Sequence, residues 1–100
     1  MKKKKFKYRG RNVTLSAEEY RSNKTLALML HYDDGETEVV TVNLQDPIQS
    51  SSLAYLDTNN QPGIEKFIQK NGLGLPMGVL TQSGFCKYPL YTIFTSELWL

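Results

Sequence analysis

The chain has one cysteine, one histidine and one tryptophan among 100 residues. A single cysteine cannot close an internal disulfide, which fits a reducing compartment and leads us to expect a cytoplasmic protein. Cys86 and His31 together supply two soft metal ligands, whereas a structural zinc site takes four. No metal is expected. No apolar run approaches the roughly 18 residues needed to span a bilayer, so no membrane insertion is expected either. The basic start is not followed by an apolar stretch, which argues against a secretory signal. No Gly-Lys-Ser/Thr sequence opens a helix, as a phosphate loop requires, and the glycines at 72, 74 and 78 follow a predicted helix instead of preceding one. No cofactor is expected.

What remains is globular in composition, 40% hydrophobic and 22% charged. The length fits a single domain over residues 1–100, with residues 1–5 as a flexible basic arm. The net charge of +2 hides an asymmetry. Lys2, Lys3, Lys4, Lys5, Lys7, Arg9 and Arg11 put seven positive charges in the first eleven residues, while the rest carries five basic residues against all ten acids. The seven are candidate nucleic-acid contacts, and Phe6, Tyr8, Tyr88 and Tyr91 are candidate stacking partners. No RNP motif or helix-turn-helix signature accompanies them. The plain alternative is a solvated terminus.

Alternation predicts strands over most of the first half. Phe6 to Tyr8 and Val13 to Leu15 flank a turn at Arg9–Asn12. Ser16 to Tyr20 reads as one helical turn, with Ser16 as N-cap and Glu19 completing a capping box, or as a continuing strand. Leu26, Leu28, Leu30 and Tyr32 alternate onto one face, and Val40, Val42 and Leu44 do so after Asp33-Asp34-Gly35; Asp-Gly between alternating runs signals a hairpin. A polar connector at 46–52 leads to a strand at Leu53–Leu56.

The C-terminal half carries five of the seven glycines and three of the four prolines. Asn60 is a candidate N-cap, with Pro62 in the first turn of a helix of about 10 residues. Ile64, Phe67 and Ile68 form its apolar stripe. Gly72 stops it at C′, with Leu73 making the hydrophobic contact. Gly74, Pro76 and Gly78 argue against regular structure until about Val79. A last strand covers Tyr88 to Phe94, with Pro89 placing its start at an edge or strand end. Glu97 to Leu100 folds back or serves an interface. The expected fold is α+β: an antiparallel, meander-like sheet of about five strands with one main helix packed on one face.

Catalytic material is thin. A Cys86 nucleophile needs a base or a positive neighbour; His31 or Lys87 would have to supply it, and an inert thiol is the simpler reading. The acidic cluster Asp33, Asp34, Glu36 and Glu38 reads as a solvated turn or a patch for a basic partner.

Asp57-Thr58-Asn59-Asn60, the helix with Phe67-Ile68, Asn71-Gly72-Leu73-Gly74 and Ser83 to Tyr91 occur in an order that resembles a family of small proteins of unknown function. These are found in Gram-positive bacteria and their plasmids and conjugative elements. Tyr8 to Val13 and the hairpin fit the same pattern. The resemblance implies a cytosolic accessory protein acting on host or defence machinery, and transfers no functional residue. The expectation is a non-enzymatic protein that binds an unidentified protein partner, with Met77, Phe85, Lys87, Tyr88, Tyr91, Asp33 and Asp34 as its surface. A nucleic-acid-binding accessory factor using the basic arm is the alternative.

Overall fold

The computed structural model describes residues 2–44 and 50–100. Among these residues eight strands form two four-stranded antiparallel sheets instead of the single sheet of about five strands expected. The first sheet has the order β1 (Phe6–Tyr8), β2 (Arg11–Glu19), β3 (Leu26–Tyr32), β4 (Thr37–Val39). The second runs β5 (Thr41–Val42), β6 (Leu53–Leu56), β8 (Cys86–Ile93), β7 (Gly74–Ser83). One helix, α1 (Ile64–Lys70), and a 3-10 turn at Thr95–Leu98 complete the described elements.

Val40 is where the sheets separate. Its N–H donates to the Leu28 carbonyl (2.9 Å), and its own carbonyl accepts from the Asp57 N–H (2.9 Å). The strand expected to continue through Leu44 is therefore split between the sheets. Val40 and Thr41 are both buried, although neighbours on a flat strand point to opposite faces. Burying both requires the chain to turn from one sheet to the other.

The two N-terminal hairpins follow their turn residues. Arg9 and Gly10 both have positive φ (52° and 80°), which matches the twist of the flanking strands in a two-residue connection. Asp33-Asp34-Gly35 closes the three-residue loop between Tyr32 and Glu36. The helical turn considered for Ser16–Tyr20 does not form, because β2 stays paired with β3 from Val13↔Tyr32 to Glu19↔Leu26. Seven consecutive cross-strand pairs outweigh one local capping box, and a single helical turn is marginal by itself.

Helix α1 is shorter than expected and starts later. Asn60 is not its N-cap. The Asn60 N–H and side-chain amide donate to the Asp57 carboxylate, and the Gln61 N–H donates to the Asp57 carbonyl. These bonds build a turn ahead of the helix, which begins after Gly63. The far end is as expected. Gly72 has φ +65°, the Leu73 N–H donates to the Ile68 carbonyl, and the Gly72 N–H donates to that of Gln69, the paired bonds of a Schellman ending. Ile64, Phe67 and Ile68 are buried, as is Leu73.

The irregularity expected from Gly74 to Val79 is confined to its second half: Gly74 to Pro76 pair with β8 as the first part of β7, and the register shifts between Pro76 and Leu80, where Gly78 has φ +77°. The strand tolerates proline because β7 is an edge. The Phe94 N–H to Leu73 carbonyl bond and the Gly74↔Ile93 pair fix the ladder's phase, which turns the Pro76 nitrogen away from β8. Pro89 lies inside β8, not at its start. Pairing with β6 ends at Tyr55↔Leu90, and the Leu56 carbonyl that would face Pro89 accepts from the Thr58 N–H instead. Thus Pro89 marks where β6 leaves β8.

Both sheets and α1 share one core, with Val13, Leu15, Leu28 and Leu30 from the first sheet and Leu56, Ile68, Tyr91 and Ile93 from the second sheet and helix. The C-terminus folds back. Leu98 is buried, its carbonyl accepts from the Lys4 N–H, and the Leu100 N–H donates to the Lys2 carbonyl. The arm expected to be flexible is thus paired with the C-terminal segment. The connector at 46–52 lies outside the described residues up to position 49.

Candidate functional site

The β7–β8 hairpin carries most of the exposed apolar surface. A two-residue turn, Gly84-Phe85, closes it at the Ser83↔Cys86 pair. Phe85 is fully exposed, Leu80 is 65% exposed and Leu75 is 55% exposed; Met77 and Val79 are each nearly half exposed. These are five of the nine large hydrophobics exposed among the described residues. Among the described residues no strand lies beside the outer edge of β7. Edge strands with apolar side chains pair readily with other chains unless protected, and here the protection is limited to Pro76 and the irregularity around Gly78.

The candidate surface residues divide. Met77, Phe85 and Lys87 are exposed on this hairpin, and Tyr88 is half-buried. The Cys86 side chain beside Tyr88 holds that phenol above its ordinary range. Tyr91 is buried, contrary to its assignment to a contact surface: its hydroxyl donates to Glu65 (2.8 Å) and accepts from the Gln69 amide (2.6 Å), so it ties β8 to α1. Burial and the Glu65 carboxylate push its pKa up. Asp33 and Asp34 belong to the β3–β4 turn in the other sheet, where Asp33 pairs with Lys5 (3.1 Å) and Asp34 with Arg11 (3.0 Å). Leu75, Val79 and Leu80 went unrecognised because the glycines and proline around them read as loop. Their own apolar spacing at 75, 77 and 79 was the available signal.

Three of the seven N-terminal cations are ion-paired. Lys4 pairs with Glu97 (3.2 Å), Lys5 with Asp33, and Arg11 with both Asp34 and Glu36 while stacking on Tyr32 (3.8 Å). Lys3 lies over the Trp99 ring (5.2 Å). Lys2, Lys3, Lys7 and Arg9 make no ion pair among the described residues. Tyr8 is buried, which takes its ring out of any stacking surface.

His31 lies in the first sheet, its Nε2 2.7 Å from the Ser16 hydroxyl, and Cys86 lies in the second. Among the described residues, no three His, Cys, Asp or Glu side chains are grouped as a metal site would need. No described helix is long and apolar enough to cross a membrane.

Residues 14–99 match the family described as Domain of unknown function (DUF4313). The chain belongs to the DUF4313 family. No curated protein and no solved structure matches it. The DUF4313 span takes in the exposed hairpin and α1, and leaves out the first thirteen residues, where the seven N-terminal cations lie.

Proposed function

We propose that this DUF4313 protein is a non-enzymatic interaction protein whose β7–β8 hairpin docks on another protein. The observation that carries this reading is the concentration of Leu75, Met77, Val79, Leu80 and Phe85 on one edge hairpin. Burying a large apolar side chain yields about 1.5–3 kcal/mol, so five such residues are a substantial binding resource. An open edge adds main-chain pairing, the usual mode of strand addition. Phe85 at the tip is the natural anchor, because exposed aromatics dominate interface energetics. In line with the resemblance noted above, the partner is a host or defence protein, and the chain is a cytoplasmic accessory protein of Gram-positive mobile elements. Asp33 and Asp34 are left out of the docking surface because their carboxylates are engaged by Lys5 and Arg11.

The test compares the intact chain with Leu80→Asp and Phe85→Asp as baits in an extract of a Gram-positive host. Both positions are exposed, so circular dichroism should show an unchanged fold. A specific protein retained by the intact chain, lost with both variants and rebinding in purified form is the expected result. Identical captures by all three baits would refute the reading. Concentration-dependent dimers abolished by Phe85→Asp would show instead that a second copy covers the hairpin.

A further inference from the structure

Between the β1–β2 turn and α1 lies an open groove of about 280 Å³, whose lining includes Lys7, Tyr8, Arg9, Lys66, Phe67 and Lys70. Four of its residues are cations and none is an acid. The other wide surface depressions differ. One combines Arg11 with Asp33 and Asp34, and another sets Glu18 beside Lys3. The four cations of the groove have no ion-pair partner among the described residues.

The nearby acids are committed elsewhere. Glu65, the one acid of α1, is bonded to the Tyr91 hydroxyl. Glu38, which lies within electrostatic reach of Arg9, accepts from the Tyr32 hydroxyl on one oxygen (2.7 Å) and from the Gln61 amide on the other (2.8 Å). Lys66 and Lys70 stand one turn apart on α1, an arrangement that destabilises a helix when the charges are alike. An anion between the two walls removes that repulsion.

The groove is also pre-formed. The Tyr8 hydroxyl donates to the Pro62 carbonyl (2.9 Å), which ties β1 to the entry of α1. The Tyr8 and Phe67 rings meet edge to face at 5.1 Å and are both buried, giving the groove an apolar floor. Charges over a low-dielectric floor act more strongly on a ligand than charges in open water. A guanidinium offers a planar fork to two oxygens of one anion, and lysines add point charges around it.

We propose that this groove binds the phosphate group of an organic phosphate. The volume lies at the lower end for small-molecule sites, which run from about 300 Å³ upwards; it suits a phosphate with the part of the ligand next to it. A mononucleotide and a single-stranded nucleic-acid backbone both present that group. This site is independent of the β7–β8 docking reading, since it uses no residue of that hairpin.

The experiment is an amide chemical-shift titration of the intact chain with inorganic phosphate, adenosine 5′-monophosphate and a twelve-nucleotide oligothymidine, repeated with Lys66→Gln/Lys70→Gln and with the control Lys24→Gln/Lys87→Gln. The expected result is saturable shifts at Tyr8, Arg9 and residues 66–71, lost in the first double variant and kept in the control. Saturation by adenosine 5′-monophosphate assigns the site to small organic phosphates. Saturation by the oligonucleotide alone assigns it to a nucleic-acid backbone. In that case the slope of log affinity against log salt becomes shallower by about 1.4 in the first variant, two lost contacts at roughly 0.7 each. No saturable shift with any probe overturns the proposal, and so do shifts that spread equally over Lys24 and Lys87 or survive Lys66→Gln/Lys70→Gln.

Discussion

A Cβ added at Gly74 would run into the Thr92 carbonyl oxygen and lie 3.1 Å from both the Ile68 Cγ2 and the Ile93 Cδ1 atoms. Unlike the glycines in turns, this residue is needed for close approach: it is buried where β7, β8 and α1 meet. The carbonyl is backbone and cannot swing aside. Gly74→Ala should cost about 2–3 kcal/mol, the upper part of the range for overpacked sites. Urea unfolding measures it, and a midpoint equal to that of the parent would show that β7 can move off β8. The residue type alone carried part of this information, since glycine inside a strand often marks a close backbone approach. Which atoms approach depended on pairing partners 19 residues away.

Helix α1 has only seven residues and no side-chain cap at its start. Isolated helices of that length are not stable in water, so α1 exists because Ile64, Phe67 and Ile68 are buried against the sheets. Ile68→Ala should therefore destabilise the whole protein by about 2–5 kcal/mol, lowering the urea midpoint. The Lys66→Gln/Lys70→Gln pair, on exposed positions, should leave the midpoint within about 0.5 kcal/mol of the parent's. Equal losses from the two changes would mean that the helix is held by its charged face. The stripe and the Gly72 ending were legible because both depend on residues within one or two turns. The late start was not, because it rests on Asp57, three residues before the expected cap, accepting the hydrogen bonds of Asn60.

For the whole molecule, the raised phenols of Tyr8, Tyr20, Tyr32 and Tyr91 should set the alkaline limit of stability. Burial and the hydrogen bond to Glu38 push the Tyr32 pKa up to about 12, and burial raises those of Tyr8, Tyr20 and Tyr91. Below the ordinary value of 10.0 both folded and unfolded chains keep these protons. Above it the unfolded chain loses them first, binds fewer protons than the folded one, and gains in relative stability. The melting temperature should hold up to about pH 10 and fall between roughly pH 10 and 12, with part of the fall removed in Tyr32→Phe. A flat profile over that window would refute the assignment. On the acid side the Gln61 and Tyr32 hydrogen bonds lower the Glu38 pKa from its ordinary 4.5. Its contribution is present above that value and is lost as the pH falls through the lowered one.

The amino-acid sequence by itself determined the features that are local: the hairpin at Asp33-Asp34-Gly35, a first hairpin whose turn was expected over Arg9–Asn12 and is only Arg9-Gly10, the β6 strand, and the apolar stripe and glycine ending of α1. Each is fixed by a short period or by the backbone preference of one or two residues. Tertiary structure decided the rest. The division into two sheets rests on Val40 bonding to Leu28 on one side and Asp57 on the other. The pairing of β7 with β8 on either side of its register shift rests on two prolines whose nitrogens both lie outside the β7–β8 ladder. The fate of the charges was likewise a matter of distance in space. Asp33, Asp34, Glu36 and Glu97 neutralise Lys4, Lys5 and Arg11, while Lys7 and Arg9 meet Lys66 and Lys70 across a groove that joins residues nearly sixty positions apart. Periodicity shows which face of an element is buried; it carries no information on what the opposite face meets.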